Sequence, residues 1–426
     1  MRPLPIGLRT RLKSIGWLYE HVRAKRARRQ EEEYTGLRDY YSRKSGPLLA
    51  EGGWQAASHE LLLRRWSGPR SVKSRLSAVR VFAAVADDLG GPRILDSLNE
   101  CCDTTLFDLR EYRDVDSPAA GERAAANINE WRPRMQRDVV AAFRAAHARQ
   151  PIDVVLTYGN YFDFEPDTLR AMSASGVPVA NLCLDDKHIF LQKHLPWPNG
   201  QKPLIGAVDV HLTNSPDCMR WYIGEGVPAY FMPQGVNPEI FRPMEVEKTV
   251  DVCFIGQRYG MRGRLVDALR AAGTEVACFG GGWGTRHITD DEKVEMYSRA
   301  RINLGIGGTG ISERMTCIKG RDFEVPAAGG LYLTTYNPEL TLLYDIGKEI
   351  LCYLNEIDCV ELVRHYLERP KEREAVAAAG RARCLRDHTW RVRFKQLFEW
   401  MGLMQQEIIY DLSAQDRTEL EEANRC

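Results

Sequence analysis

Residues 319–330 read KGRDFEVPAAGG. Lys319 and Arg321 bring two positive charges, Glu324 follows at once, and Pro326, two alanines and Gly329–Gly330 then strip the chain of bulk. Two bases beside an acid make either a structural ion-pair network or a ligand grip. In the second case the carboxylate accepts ribose hydroxyls and the bases hold a diphosphate.

Other stretches bear on that choice. FIGQRYGMRGR (254–264) puts Gly256 at a strand end and Arg258, Arg262 and Arg264 at a helix start, where backbone N–H groups favour an anion. GIGGTG (305–310) is a literal GxGxxG with Glu324 downstream. The dinucleotide fingerprint, however, needs strand–turn–helix–strand with its acid at the tip of the second strand. Here the acid precedes PAAGG, on a helix packed below the glycine pair, so a nicotinamide cofactor is set aside. Lys319, Arg321 and Glu324 are instead expected to form one site with Gly256 and Thr309. No DxD occurs at a strand end: Asp185–Asp186 and Asp290–Asp291 are adjacent pairs. A metal-free site is therefore expected, in which cations and helix N-termini stabilise a departing diphosphate. Upstream, LDDKHIF (184–190) supplies Asp186 and His188, the expected catalytic pair, with a base able to take an acceptor proton. A mechanism that retains configuration needs no such base, and the residues leave that choice open.

Those groups need elements to position them. Apolar runs of strand length alternate with helical stretches: IDVVLTYG (152–159), VPVANLCLDD (177–186), VDVHLTNS (208–215) and PAYFMPQG (228–235). After the seam QGVNPEIFRP (234–243) the pattern restarts with DVCFIG (251–256), TEVACFGGGW (274–283), RINLGIGG (301–308), GLYLTTY (330–336) and EILCYLN (349–355). Such alternation predicts parallel sheets covered by helices on both faces. The fold class is α/β, two doubly wound Rossmann-like domains with a cleft between them, and ligands bind beyond the strand C-termini. The boundaries are a basic, partly helical extension over 1–70, a first domain over 71–245, a second over 246–387, and a crossover helix and tail over 388–426.

Composition narrows the classes. Lys plus Arg equals Asp plus Glu at 58 each in 426 residues, so no global field points to nucleic acid. The eleven cysteines are scattered without CxxC or zinc spacing, which predicts neither disulfides nor a metal site. That usage suggests a reducing compartment. No apolar run approaches the roughly 18 residues that span a bilayer, and the expected location is cytoplasmic. Residues 1–50 depart from neutrality, with twelve Lys/Arg against five Asp/Glu. Leu8, Leu12, Ile15, Tyr19 and Val22 fall at helical spacing, so residues 1–30 form either a basic helix docking peripherally on the inner membrane face or one packed on the protein.

Residues about 205–400 resemble the group 1 glycosyltransferases of GT-B architecture, and within them the CgeB-type, spore-maturation-protein-like subgroup. The resemblance rests on VDVHLTNSPDCMRWYIGEGVPAYFMPQGVNPEIFRP, DVCFIG…R, KGRDFEVPAAGGLYLT and GRARCLRDHTWRVRF, in that order. It implies a nucleotide-sugar-dependent glycosyltransferase acting on a glycan, lipid-linked or protein hydroxyl, with no cofactor beyond the nucleotide sugar as co-substrate. Glu324 would take the ribose, and Lys319, Arg321 and an arginine of 258–264 the diphosphate. One position departs: group 1 enzymes often carry a second glutamate eight residues before the first, and Thr316 stands there. A sugar-nucleotide epimerase and a non-catalytic binding scaffold remain the alternatives.

Overall fold

The apolar runs pair as parallel strands. The computed structural model describes residues 16–46, 53–66, 71–86, 93–113, 124–191, 197–286, 288–308, 312 and 314–405. Two helices open it, α1 (Gly16–Ser45) and α2 (Gly53–Arg65). The first sheet uses β1 (Arg80–Val85), β2 (Asp103–Asp108), β3 (Val154–Tyr158), β4 (Val179–Cys183), β5 (Val210–Thr213) and β6 (Ala229–Phe231). Between them run α3 (Ile94–Cys101), α4 (Ile128–Arg149), α5 (Pro166–Ser173), the short α6 (Asp186–Ile189) and α7 (Pro216–Gly224). The second sheet uses β7 (Val250–Ile255), β8 (Val276–Phe279), β9 (Ala300–Leu304), β10 (Tyr332–Thr335) and β11 (Leu351–Tyr353). Its helices are α8 (Arg262–Ala271), α9 (Asp290–Arg299), α10 (Arg321–Ala327), α11 (Glu356–Glu368) and α12 (Pro370–Asp387); α13 (Trp390–Trp400) is the last helix among the described residues.

Every ladder is parallel, and the orders are β2-β1-β3-β4-β5-β6 and β11-β10-β9-β7-β8. Central strands such as β4 and β5 are buried at every position, the pattern of a sheet covered on both faces. In each sheet the first strand lies inside and the chain winds outward in both directions. The order therefore reverses between β1 and β3, and again between β7 and β9. Beyond the strand C-termini at such a reversal a crevice opens.

The closing helix crosses back onto the first half. Val236 in the proline-rich seam exchanges backbone hydrogen bonds with His388 and Trp390 at 3.0 and 3.1 Å, which fixes where α13 starts. Trp390, Phe394, Leu397 and Phe398 then bury fully among β1, β3, β4 and β5, each worth roughly 2 kcal/mol in transfer terms.

At the other end α1 runs on through residues 34–45, where the sequence shows no decisive pattern. Tertiary contact decides it: Tyr41 packs 6.1 Å from Trp221 of α7, and its hydroxyl donates to Glu225. Residues 1–15, which carry half of the expected basic helix, lie outside the described residues. No helix among the described residues is long and apolar enough to cross a membrane.

Candidate functional site

The C-terminal ends of the two sheets face each other across a cavity of about 360 Å³. Tyr158, Asp185 and Gln234 line it from the first half; Gly256, Lys319, Arg321 and Glu324 line it from the second. Four of the expected donor residues are therefore brought together.

Gly256 is where the cations converge. A Cβ there would sit 3.1 Å from an Arg321 terminal nitrogen and 3.4 Å from one of Arg262. Gly280, at φ +116°, comes so close behind that its own Cβ would lie 2.7 Å from the Gly256 carbonyl carbon. Only glycine meets both demands. Arg321 donates to the Ile255 carbonyl at 3.0 Å, Arg262 donates to the Gln257 carbonyl at 2.8 Å, and both guanidiniums lie over Phe254. Among the described residues neither makes an ion pair. Burial and the neighbouring Arg321 charge push Arg262 down to about 10, whereas Tyr332, Tyr297, Asp322 and Glu324 hold Arg321 above the ordinary arginine value against its burial.

The local sequence explains how Lys319 and Glu324 are held. Asp322 is buried; one carboxylate oxygen accepts from the Lys319 amide at 2.6 Å and the other from the Tyr332 hydroxyl at 2.6 Å. Pro326 cannot donate inside α10, and the carbonyl this would strand, that of Asp322, accepts instead from the Tyr344 hydroxyl at 2.8 Å. The turn is thus held at both ends, and Lys319, Arg321 and Glu324 all line the same cavity, the last two one helical turn apart on α10. Glu324 Oε2 accepts from the Tyr297 hydroxyl at 3.1 Å and lies 3.5 Å from Lys293 Nζ. Gly320 leaves room for its other oxygen: a Cβ would sit 2.9 Å from Glu324 Oε1 and 2.6 Å from Gln234 Nε2. Lys319 stands above the ordinary lysine value; burial works to lower it, and the Cys317 and Asp185 charges outweigh that.

Other expected residues are elsewhere. Arg264 is 61% exposed and paired with Glu356 at 3.1 Å, away from the cavity. Helical spacing accounts for it: Arg262 shares a buried face with Leu265, Val266 and Leu269, and two positions on, the helix presents its opposite side. Thr309 lies outside the described residues. Gly305 of GIGGTG serves packing, since a Cβ there would fall 2.2 Å from the Tyr332 hydroxyl. No group of three His, Cys, Asp or Glu side chains able to hold a metal is found among the described residues.

On the first wall the expected pair Asp186 and His188 does not face the cavity. Asp186 is fully buried beneath it, accepting from the Lys187 amide at 2.9 Å and the Tyr222 hydroxyl at 3.4 Å. His188 turns to Gln30 of α1, with 2.9 Å between Nδ1 and the amide nitrogen. It is Asp185 that is exposed at the cavity wall. Burial pushes the Asp186 carboxyl up to about 7 against hydrogen bonds from Thr213, Cys218 and the Lys187 amide. A carboxyl raised from 3.8 to about 7 on folding favours the folded state while protonated. Its contribution is complete below the unfolded value and lost as pH rises through 7. Asp186→Asn cannot charge. Its unfolding free energy relative to the unmodified protein should therefore improve by up to about 4 kcal/mol from about pH 4 to pH 8. Urea curves at the two pH values read this, and a difference that does not change with pH contradicts it.

Lys293, Tyr297, Asp322 and Gln234 escaped the sequence reading. Lys293 and Tyr297 are one helical turn apart on α9, a usable signal for a shared face, but nothing local ties that face to Glu324.

Two facing doubly wound halves of this kind are the GT-B glycosyltransferase architecture. Residues 262–399 match a family model described as "Glycosyl transferase-like", a stretch holding Arg262, Lys319, Arg321 and Glu324. The fold is similar to that of sucrose-phosphate synthase from Thermosynechococcus elongatus, with TM-score 0.51, 11% identity, and 75% of this chain and 98% of that one covered. It is similar also to HepE from Anabaena in complex with UDP-glucose, with TM-score 0.51, 12% identity, and 76% and 99% covered. At such identity the likeness is one of fold. No curated protein matches the chain's sequence.

Proposed function

We propose that this protein is a metal-independent glycosyltransferase of the CgeB type, moving a sugar from a nucleoside diphosphate sugar to an acceptor hydroxyl. The observation that carries this reading is the convergence of Arg262 and Arg321 at Gly256, beside Lys319, with no acid paired to either arginine among the described residues. Cations left facing one another beside a cavity suit a ligand that arrives with at least two negative charges. Glu324 and the backbone opening at Gly320 suit ribose hydroxyls next to it. Transfer then needs little more than charge stabilisation: as the sugar–phosphate bond breaks, negative charge grows on a diphosphate already faced by fixed cations. Residues 246–387 would hold the donor and residues 71–245 the acceptor. The UDP-glucose complex of HepE lends support by analogy of fold.

The test is to incubate the purified protein with a panel of UDP-, ADP- and GDP-sugars and assay the nucleoside diphosphate released. Release from one donor, lost in Glu324→Ala, supports the proposal. Binding without release from any donor favours the scaffold, and a donor altered at its sugar but not cleaved favours an epimerase.

The acceptor side extends to α1. Tyr34 and Tyr41 pack on the first half, whereas Lys25, Arg26, Arg28 and Arg29 are exposed. A basic helix end held this way suits an anionic membrane surface and a lipid-linked or surface-glycan acceptor, with the protein peripheral at the inner membrane face. Each cation near such a surface is worth about 1 kcal/mol. Replacing all four by glutamine should reduce sedimentation with phosphatidylserine vesicles at least tenfold at low salt. Equal sedimentation of the two proteins would remove the membrane from the proposal.

A further inference from the structure

We propose that Arg93 of the first half is a positioning residue for the nucleoside: it holds Asp290, and through Asp290 and Lys293 it sets the Glu324 carboxylate for the ribose hydroxyls. This deepens the donor-site reading above and rests on it.

Four side chains of alternating charge run in a row from one half to the other. Arg93 directly precedes α3, on the C-terminal side of the first sheet. One terminal nitrogen lies 2.7 Å from Asp96 Oδ2, and the other donates at 3.3 Å to Oδ2 of Asp290, the first residue of α9 in the second half. The second Asp290 oxygen lies 3.4 Å from Lys293 Nζ, which in turn lies 3.5 Å from Glu324 Oε2. Arg93 is also the one residue other than glycine, among the described residues, that holds a positive φ, at +52°. That conformation is uncommon for an arginine, and such exceptions concentrate where a side chain must be aimed.

The row leaves Glu324 one oxygen to offer. Lys293 and the Tyr297 hydroxyl both engage Oε2. Oε1 is the oxygen beside Gly320, whose backbone lines the cavity. Lys293 is a point charge on a flexible stem, and it stands between two carboxylates at nearly equal distances. The Phe241 ring, centred 4.9 Å from Nζ, lies against it without favouring either acid. What decides is how much of the Asp290 charge is already answered, and Arg93 answers it from the far side. Without Arg93, Asp290 draws the ammonium toward itself and Glu324 loses one of the two groups that fix its plane. The Arg93–Asp290 pair, with side chains 30% and 22% exposed, adds little to folding by itself. Its effect falls on the ligand.

Ribose and diphosphate are held by separate sets of residues. Arg262 and Arg321 bond to the Gln257 and Ile255 carbonyls and are not part of the row. A phosphate probe that has no ribose should therefore not sense Arg93.

The experiment titrates UDP, ADP and GDP, and separately inorganic pyrophosphate, into the full chain by calorimetry. Arg93→Ala should weaken the nucleoside diphosphate that binds by about three- to tenfold, and pyrophosphate by less than about twofold. Arg93→Ala combined with Asp290→Asn should bind the nucleoside diphosphate within about twofold of the unmodified protein, because the competing charge is gone. In Glu324→Gln, adding Arg93→Ala should change nothing further. Equal weakening of pyrophosphate and nucleoside diphosphate overturns the inference, as does a full additive loss in either double variant. Each of those results leaves the donor site standing. If the unmodified protein binds none of the three nucleotides, or Glu324→Gln binds them equally well, the donor-site reading itself falls and the inference with it.

Discussion

Replacing Glu339 by alanine is expected to cost about 3–5 kcal/mol of folding stability. Glu339 comes from the second half and Lys187 from the first, and they meet at 2.7 Å with side chains 9% and 4% exposed. The Ser215 hydroxyl donates to Glu339 at 3.0 Å, and the Tyr34 ring covers the Lys187 ammonium at 5.6 Å. Burial alone would push Lys187 toward its neutral form, and the Glu339 carboxylate, together with Cys317 and Tyr34, more than reverses this. Without Glu339 an ammonium remains out of water with the Thr316 carbonyl as its polar partner. Lys187→Met combined with Glu339→Gln removes both charges and should lose clearly less than Glu339→Ala alone. Calorimetric melting of the three proteins decides. A loss below about 1 kcal/mol for Glu339→Ala would mean that water reaches the pair.

The second large effect is on ligand affinity. Arg321→Ala is expected to weaken nucleoside diphosphate binding by 1.5–3 kcal/mol, the worth of a hydrogen bond to a charged group, or about 10- to 150-fold. Arg264→Ala should change it less than twofold, because that side chain pairs with Glu356 outside the cavity. Arg321→Lys keeps the charge but not the planar fork, which donates to the Ile255 carbonyl and would have N–H groups left for a phosphate, so it should recover only part of the loss. Equal effects of Arg321→Ala and Arg264→Ala would make the attraction a diffuse field in place of a built site.

Much of this was legible in the sequence. Apolar runs ending in glycine mark the strands, and doubly wound topology sends their C-termini to one crevice, so Gly256, Lys319, Arg321 and Glu324 could be grouped before any geometry. The misplacements have local causes. Asp185 and Asp186 are neighbours in a turn, and a single residue of phase decides which side chain enters the core. Sequence places the acid pair at the strand end and no closer. Arg264 was within reach of the reading, since the spacing of Leu265, Val266 and Leu269 already puts Arg262 inward. Lys293 was not: it reaches Glu324 across the fold, between residues 31 positions apart on different helices. GIGGTG misleads for a packing reason, because the tyrosine hydroxyl against Gly305 demands the same residue that a phosphate would.

The most direct measurement is a calorimetric titration of UDP, ADP and GDP into the unmodified protein and into Glu324→Gln. Glu324 should hold the ribose and the cations the diphosphate. One diphosphate should therefore bind at a single site, with affinity reduced at least tenfold in Glu324→Gln. Binding of none of the three, or equal binding to both proteins, would contradict it and leave KGRDFE a structural ion-pair turn.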